Sequence, residues 1–178
     1  MSRIGKLPIE LPTGVQLTVD GSVVRVVGPK GSLARPVGQG VSVSTQAGSV
    51  RVEKTGSGRQ ADADFGTSRA IIQTMVTGVS TGWKRALELS GVGFTAKLAN
   101  DDLVLSCGFS HEVRLPVPTG VTCVVGKTSI ECESCDKELV GRFASTIRSV
   151  QPPEPYLGKG IKYSNEVVRR KAGKTGKK

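Results

Sequence analysis

The chain has 178 residues, few aromatic side chains and a clear excess of basic over acidic ones. Hydrophobic residues make up 37% and aromatic residues 4%, so the core must be mainly aliphatic, and the length suits two small domains. No apolar run approaches the roughly 20 residues that cross a bilayer, and the N-terminus lacks the apolar stretch of a signal peptide. We therefore expect a cytoplasmic protein without a membrane partner, or a protein of an organellar stroma or matrix if a transit peptide was removed.

The net charge of +10 is concentrated at the C-terminus. Residues 156–178 hold eight basic side chains and one acid, Glu166, and so carry +7. The other 155 residues hold 17 basic and 14 acidic side chains and carry +3. A nearly neutral body with a basic terminus is typical of a folded unit with an arm that binds a polyanion. The alternative is a solvated tail that only aids solubility.

The first half of the chain has the pattern of short strands followed by one helix. Alternating apolar residues predict two hairpins within residues 15–52, the first turning at Asp20-Gly21. Apolar residues then recur at helical spacing over residues 65–79, and Asp62 or Asp64 is suited to the N-cap.

The second half has a similar pattern, in which alternating apolar residues precede a helix. Asp136 can cap this helix, its apolar residues from Leu139 to Val150 fall within one arc, and Pro152-Pro153 ends it. Pro118-Thr119-Gly120-Val121 repeats Pro12-Thr13-Gly14-Val15, but these copies are 106 residues apart whereas the helices are only about 72 apart. We interpret the difference as one hairpin placed differently in two otherwise similar domains.

These patterns predict an α+β fold of two similar small domains, each an antiparallel β-sheet with one covering helix, plus a basic C-terminal arm. The predicted bounds are 1–82 for the first domain and 83–152 for the second. Residues 153–178 form the predicted arm, which is attached to the second domain.

Two glycine patterns resemble nucleotide-binding loops but lack the required context. Residues 91–96 fit G-x-G-x-x-A, yet they lead to a further strand, whereas the motif needs a helix N-terminus facing the pyrophosphate. Residues 120–128 resemble a P-loop but have five residues between the glycines instead of four, and a hairpin turn at Gly126-Lys127 fits better. We expect no cofactor and no small-molecule substrate.

The cysteines leave one alternative open. Cys132 and Cys135 form a C-x-x-C motif, but Cys107 and Cys123 lie 16 residues apart and make no second close pair of zinc ligands. Cys135 precedes the second helix, so a thiol or metal protein using Cys132 and Cys135 remains an alternative to buried or incidental thiols. His111, the only histidine, has no recognisable nucleophile partner. We therefore expect neither an enzyme nor a metal protein.

The C-terminal segment is the strongest candidate binding site, because it combines basic residues and glycines with both tyrosines of the chain. Glycines let a backbone approach phosphates, basic side chains neutralise them, and aromatic rings stack on bases. We predict an arm that becomes ordered on a folded RNA; zinc-finger or heptad spacing for a DNA-groove reader is lacking. The predicted RNA-binding residues are Tyr156, Lys159, Gly160, Lys162, Tyr163, Arg169, Arg170, Lys171, Lys174, Lys177 and Lys178.

Residues 153–161 and 167–174 resemble the C-terminal signature of the bacterial form of large-subunit ribosomal protein six. Residues 2–9, the turn at 28–31 and residues 88–94 are also similar to that family. Leu157 departs from the pattern, since the family commonly has Lys there, which removes one phosphate contact. Cys132 and Cys135 are not part of the family pattern, which disfavours the thiol and metal hypotheses.

The resemblance implies two domains from an internal duplication and no catalytic activity. It implies binding to large-subunit rRNA near the sarcin–ricin loop and the base of the factor-binding stalk, mainly through the second domain and tail. Neighbouring ribosomal proteins would be further partners, and a homo-oligomer is not expected. The RNA-contacting set implied by the resemblance is the one given above without Tyr163, Lys177 and Lys178. A nonspecific nucleic-acid-binding architectural protein remains the alternative from charge alone.

Overall fold

The computed structural model describes residues 2–46 and 48–174. The chain divides into two compact units. The first unit comprises Met1–Trp83 with Cys135–Lys137, and the second comprises Lys84–Ser134 with Glu138–Lys178. The predicted boundary at residue 82 lies next to Trp83, where the main segment of the first unit ends.

The first unit consists of short strands and the longer helix. Its elements are β1 Ile9–Glu10, β2 Gln16–Asp20, β3 Val23–Gly28, β4 Gly31–Pro36, β5 Val41–Gln46, β6 Ser49–Lys54 and α1 Arg59–Ser80. The strands form two antiparallel sheets, in the orders β2-β3-β4 and β1-β6-β5. Helix α1 packs against strands of both sheets. Its apolar stripe, predicted from the helical spacing, is buried in the core.

The turns and the helix start of the first unit differ in detail from the prediction. The first hairpin pairs Asp20 with Val23, so its loop is Gly21-Ser22, one residue later than predicted. Helix α1 begins at Arg59 after Gly58, so the prediction that Asp62 or Asp64 is the N-cap was wrong. Asp62 instead lies in the first helical turn, where a carboxylate complements the helix dipole.

Asp62 also fixes the helix start to the sheet. Its carboxylate accepts a hydrogen bond from Lys54 Nζ at 2.9 Å. This hydrogen bond holds the pKa of the Asp62 carboxyl below its ordinary value. The two residues therefore join the end of β6 to the beginning of α1.

The second unit repeats this architecture with one additional strand. Its elements are β7 Trp83–Ser90, β8 Thr95–Ala99, β9 Asp102–Ser106, β10 Val113–Pro116, β11 Thr122–Val125, β12 Ser129–Ser134, α2 Lys137–Val150 and β13 Gly160–Tyr163. The strand orders are β8-β9-β10 and β11-β12-β7-β13. Leu87, Leu105, Ile130 and Ile161 are fully buried with Ile147 of α2, which begins directly after Asp136, the predicted cap.

The strand orders confirm the α+β prediction of two similar domains and refine it. Order β2-β3-β4 corresponds to β8-β9-β10, and order β1-β6-β5 corresponds to β7-β12-β11. Each unit thus contains two small sheets, whereas one was expected. The hairpins follow the same order in both units, so the interpretation of a displaced hairpin was wrong.

The repeated Pro-Thr-Gly-Val sequence encodes a turn at two unrelated places. The first copy lies between β1 and β2, whereas the second lies between β10 and β11. In each copy the valine N–H donates to the proline carbonyl at 3.1 Å, and the glycine has a positive φ of 86° in one and 88° in the other. Glycine is favoured at this position because its φ is positive, as in a type II turn.

Candidate nucleic-acid interface

The basic C-terminal segment begins as a strand of the second unit. Strand β13 pairs antiparallel with β7, with Ile161 opposite Leu89 and Lys162 opposite Glu88. The Ile161 side chain is fully buried in the core, and its N–H donates to the Gln151 carbonyl at 2.7 Å. Residues 160–163 are therefore part of the folded domain and link it to the chain that follows.

Gly160 is buried where this strand passes the end of the second helix. Its φ is +139°, and a Cβ there would lie 2.6 Å from the Pro152 carbonyl oxygen and 2.7 Å from Pro153 Cα. The glycine therefore allows close packing of two backbone segments. Burial under Pro152 and Pro153 leaves Gly160 little surface for a phosphate.

Glu166, the only acid of the basic segment, is engaged by Arg148 of α2. Arg148 donates two hydrogen bonds to the carboxylate, from Nε at 2.8 Å and from a terminal guanidinium nitrogen at 2.5 Å. The backbone N–H of Tyr163 donates to the same carboxylate at 3.2 Å. The Arg148 hydrogen bonds lower the pKa of Glu166 and raise that of Arg148. Because both side chains are less than one-third exposed, this bidentate pair anchors the segment to α2.

Two of the predicted RNA-binding residues make their contacts within the second unit. Lys162 Nζ lies 2.9 Å from a carboxylate oxygen of Glu88. Tyr163 packs against the core, and its ring centroid lies 5.8 Å from the Arg148 guanidinium carbon. Both side chains are half-buried, so they stabilise the strand and its return toward α2.

The chain after β13 folds back along the loop that precedes it. The Lys171 N–H donates to the Pro155 carbonyl at 2.8 Å, and the Arg170 guanidinium lies against Gly158. A groove of about 540 Å³ lies beside this return, and Lys162 and Arg170 are among its lining residues. The segment from 166 to 171 therefore has a defined path along the unit.

The remaining cations of the segment point to solvent. Lys159, Arg169, Arg170, Lys171 and Lys174 are exposed, and within residues 2–46 and 48–174 none of them forms an ion pair. Tyr156 is 52% exposed and lies in the same loop as Lys159. Lys177 and Lys178 lie outside the described residues. The exposed cations suit the phosphates of a nucleic acid, and the accessible ring suits stacking on a base.

Two further loops of the second unit carry exposed apolar side chains. Ser90 pairs with Gly160, so the loop after β7 lies near the start of β13. That loop carries Val92, which is 96% exposed, and Phe109 stacks on His111 in the loop after β9 with ring centroids 5.8 Å apart. In the sequence, residues 91–96 stood out only as a glycine pattern and as part of the family resemblance, and His111 only as a histidine without a nucleophile partner.

Both glycine patterns fold as turns and strands, but the second hairpin turns at Lys127-Thr128, one residue later than predicted. Residues 91–96 lead into β8, and residues 120–128 lead through β11 into the hairpin with β12. Neither pattern therefore places a helix N-terminus at a phosphate site in the described chain.

One cysteine of the C-x-x-C motif lies next to a cysteine outside the motif. Cys132 is fully buried in the core and lies beside Cys123, with 3.5 Å between the two sulfur atoms. Across the residues that the structure describes, no group of three His, Cys, Asp or Glu side chains could hold a metal ion.

Comparison with known proteins decides the family. The model of the ribosomal protein L6 family matches residues 11–82 and 90–164. The chain belongs to the ribosomal protein L6 family. It is 48% identical to large ribosomal subunit protein uL6 of Geotalea uraniireducens, over the full length of both chains. The uL6 protein of Nostoc sp. is 48% identical over 99% of this chain and 98% of that protein, and that of Staphylococcus epidermidis is 47% identical over 99% and 100%.

Membership of the L6 family confirms the resemblance seen in the sequence. It also confirms that the chain is a ribosomal protein and not an enzyme. The two matched ranges correspond to the two halves with similar strand order. The second range ends at residue 164, so the exposed cations from Arg169 onward lie beyond it, although the full-length uL6 relatives cover them.

None of the helices in the described ranges is long and apolar enough to cross a membrane.

Proposed function

We propose that this L6-family chain is a structural component of the large ribosomal subunit that binds large-subunit rRNA through its basic C-terminal segment. The site on the rRNA is the region near the sarcin–ricin loop and the base of the factor-binding stalk. Neighbouring ribosomal proteins are its other partners, and its location is the ribosome. The observation that carries this proposal is the group of five exposed cations without ion pairs, beside the exposed ring of Tyr156.

The contacts of the segment support binding by a partly ordered surface. Strand β13, the Arg148–Glu166 pair and the hydrogen bond from Lys171 to Pro155 fix the backbone in three places. An ordered segment loses less conformational entropy on binding than a free tail does. Since Glu166 is engaged by Arg148, no acid within the segment neutralises the cations that face solvent.

The chemistry of each residue type assigns its role. The Lys and Arg side chains bind phosphate oxygens and release counterions from the RNA. Tyr156 stacks on an unpaired base or ribose. Lys162, Tyr163 and Gly160 hold the strand in place, and their contribution to RNA binding is through the position of their neighbours.

The proposal is tested with matched triple-alanine variants of the full chain, each removing two arginines and one lysine. The segment variant replaces Arg169, Arg170 and Lys171. The control variant replaces Arg25, Arg51 and Lys6, which are also exposed. Both variants leave the buried core intact. A difference in RNA affinity between them therefore reflects the position of the charges that were removed.

The assay is a titration of a large-subunit rRNA fragment carrying the sarcin–ricin region, with duplex DNA as competitor. Because of counterion release, each lost phosphate contact lowers the association constant by about 0.7–0.9 decade at about 0.1 M salt. Three lost contacts therefore weaken binding about 100- to 500-fold. The control variant is expected to bind within about threefold of the unaltered chain. If the segment variant bound as tightly as the control, the segment would not be the main site. Equal competition by duplex DNA would instead support a nonspecific architectural protein.

A further inference from the structure

Cys123 and Cys132 face each other across a hairpin of the second unit. Cys123 lies on β11 and Cys132 on β12, and the two are direct partners in the antiparallel register. Their sulfur atoms are 3.5 Å apart in the thiol state. Neither the predicted C-x-x-C motif nor the proposed rRNA-binding role involves this pair.

The register places the pair at a position that accepts a disulfide. The Gly126 N–H donates to the Ser129 carbonyl at 2.8 Å, which marks a hydrogen-bonded position at the hairpin end. Hydrogen-bonded and non-hydrogen-bonded positions alternate in an antiparallel ladder, so the pair of Cys123 and Cys132 is non-hydrogen-bonded. The Cα atoms of such pairs are about 4.5 Å apart, within the roughly 4.4–6.8 Å range of disulfides. Side-chain rotation can therefore form the bond without moving the strands far.

The two thiols differ in accessibility and acidity. Cys123 is partly exposed, whereas Cys132 is fully buried in the core. The hydrogen bond between them lowers the pKa of Cys123 and raises that of Cys132, and burial raises the pKa of Cys132 further. Cys123 is therefore the more accessible and the more acidic of the two thiols, and the one that a reagent from solvent reaches first.

We propose that Cys123 and Cys132 are a reversible oxidation site that takes a low-molecular-weight disulfide as its substrate. The Cys123 thiolate attacks one sulfur of the small disulfide, whose S–S bond breaks and releases one small thiolate, which takes up a proton. Cys132 then loses its proton and attacks Cys123 Sγ, which releases the second small thiol. The protein dithiol is oxidised by two electrons, and the small disulfide is reduced to two thiols.

The native hairpin favours this disulfide over the unfolded chain. The cysteines are nine residues apart in sequence. In the unfolded chain, the entropy lost on closing a loop of that size lowers the equilibrium constant for the disulfide by a factor on the order of 100. In the folded hairpin the loop is already closed, so this entropy is not lost again. The equilibrium constant for forming the bond is therefore expected to be on the order of 100-fold larger in the folded chain than in the chain unfolded in urea.

The test uses the full chain equilibrated with oxidised and reduced glutathione and then alkylated. The free thiols should fall from four to two, and reduced dithiothreitol should restore them. Trypsin cuts after Lys127 and Lys137, so the disulfide joins the peptides 115–127 and 128–137. Because the second peptide also holds Cys135, the same experiment on Cys135→Ser identifies the partner; the link should persist there.

Two further variants separate the roles of the thiols. Cys132→Ala should retain glutathione on Cys123, because the second thiol is missing, whereas Cys123→Ala should form neither product. Four free thiols in the folded chain, under conditions that oxidise the urea-unfolded chain, would overturn the proposal. A link from Cys123 to Cys107 or Cys135 would also overturn it.

Discussion

Removal of the C-terminal segment after Pro155 is expected to unfold the second unit in addition to removing cations. That cut deletes β13 with the buried Ile161, and it deletes Glu166, the partner of Arg148. The sequence predicted that the second domain ends at residue 152 and that residues 153–178 are an arm attached to it. In the structure, residues 160–163 of that segment lie in the sheet of the second unit, and Ile161 lies in its core. A cut after Val168 removes the cations from Arg169 onward and retains all of these contacts.

The cost of the first cut can be worked from the contacts that are lost. Replacing a buried isoleucine by alanine costs about 2–5 kcal/mol, and a bidentate, partly exposed ion pair adds about 1 kcal/mol. The loss of about 3–6 kcal/mol is comparable to the roughly 5–15 kcal/mol that holds a typical domain folded. At an m-value of about 1.5 kcal/mol/M, the urea midpoint of the second unit falls by about 2–4 M.

Urea unfolding followed by circular dichroism, with hydrogen exchange in α2, measures this loss. The chain ending at Pro155 should show a lower midpoint and rapid exchange over residues 137–150. The chain ending at Val168 should unfold within about 0.5 M of the full chain. If the chain ending at Pro155 kept the full-length midpoint and slow exchange in α2, the reasoning about β13 would be refuted.

Three substitutions test other contacts of the same unit. Gly160→Ala should lower the free energy of unfolding in urea by about 2–4 kcal/mol, because a Cβ there meets backbone atoms at a positive φ. Gly173→Ala, where a Cβ meets nothing, should leave the free energy of unfolding almost unchanged. Equal losses for the two variants would contradict the packing role of Gly160. Glu166→Gln should cost about 1 kcal/mol near neutral pH. Because Arg148 lowers the folded pKa of Glu166, this stabilisation is present above the unfolded pKa of about 4.3 and is lost as the pH falls through the folded pKa. A stability difference that persisted at lower pH would contradict the carboxylate's role. Tyr156→Leu should weaken rRNA binding by about 1–3 kcal/mol in the titration, and unchanged affinity would remove this ring from the interface.

The periodic elements were predictable because their signals are local. The apolar arcs of both helices and the alternation in most strands appear directly in the sequence and are buried as expected. The repeated Pro-Thr-Gly-Val sequence misled the comparison of the two units because its signal is also local. It encodes a local turn, so its two copies report the same backbone conformation and not equivalent places in the two units.

The basic segment shows why a composition signal cannot separate structural from binding residues. Ile161 and Tyr163 alternate with Gly160 and Lys162, which is a strand pattern, but four residues are too few to distinguish from a loop. Glu166 contacts Arg148, which lies 18 residues earlier, and no local pattern predicts that pair. The exposed cations after Val168 do not depend on a long-range contact of this kind. The distribution of charge along the sequence was therefore enough to locate them.

The pairing of Cys123 with Cys132 depends on the position of the hairpin turn to within one residue. A turn at Gly126-Lys127, as predicted, would place Cys123 opposite Ile130. The register instead pairs Val125 with Ile130, which places Cys123 opposite Cys132. A slip of one residue changes every cross-strand partner, so this contact required the structure.

The salt dependence of rRNA binding tests the central claim most directly. If the full chain makes about 5–7 phosphate contacts, the plot of log K against log salt has a slope of about −4 to −6. The variant lacking Arg169, Arg170 and Lys171 should have a slope smaller in magnitude by about 2–3, while the matched control variant keeps the full slope. Equal slopes for both variants would contradict the assignment of the phosphate contacts to the C-terminal segment.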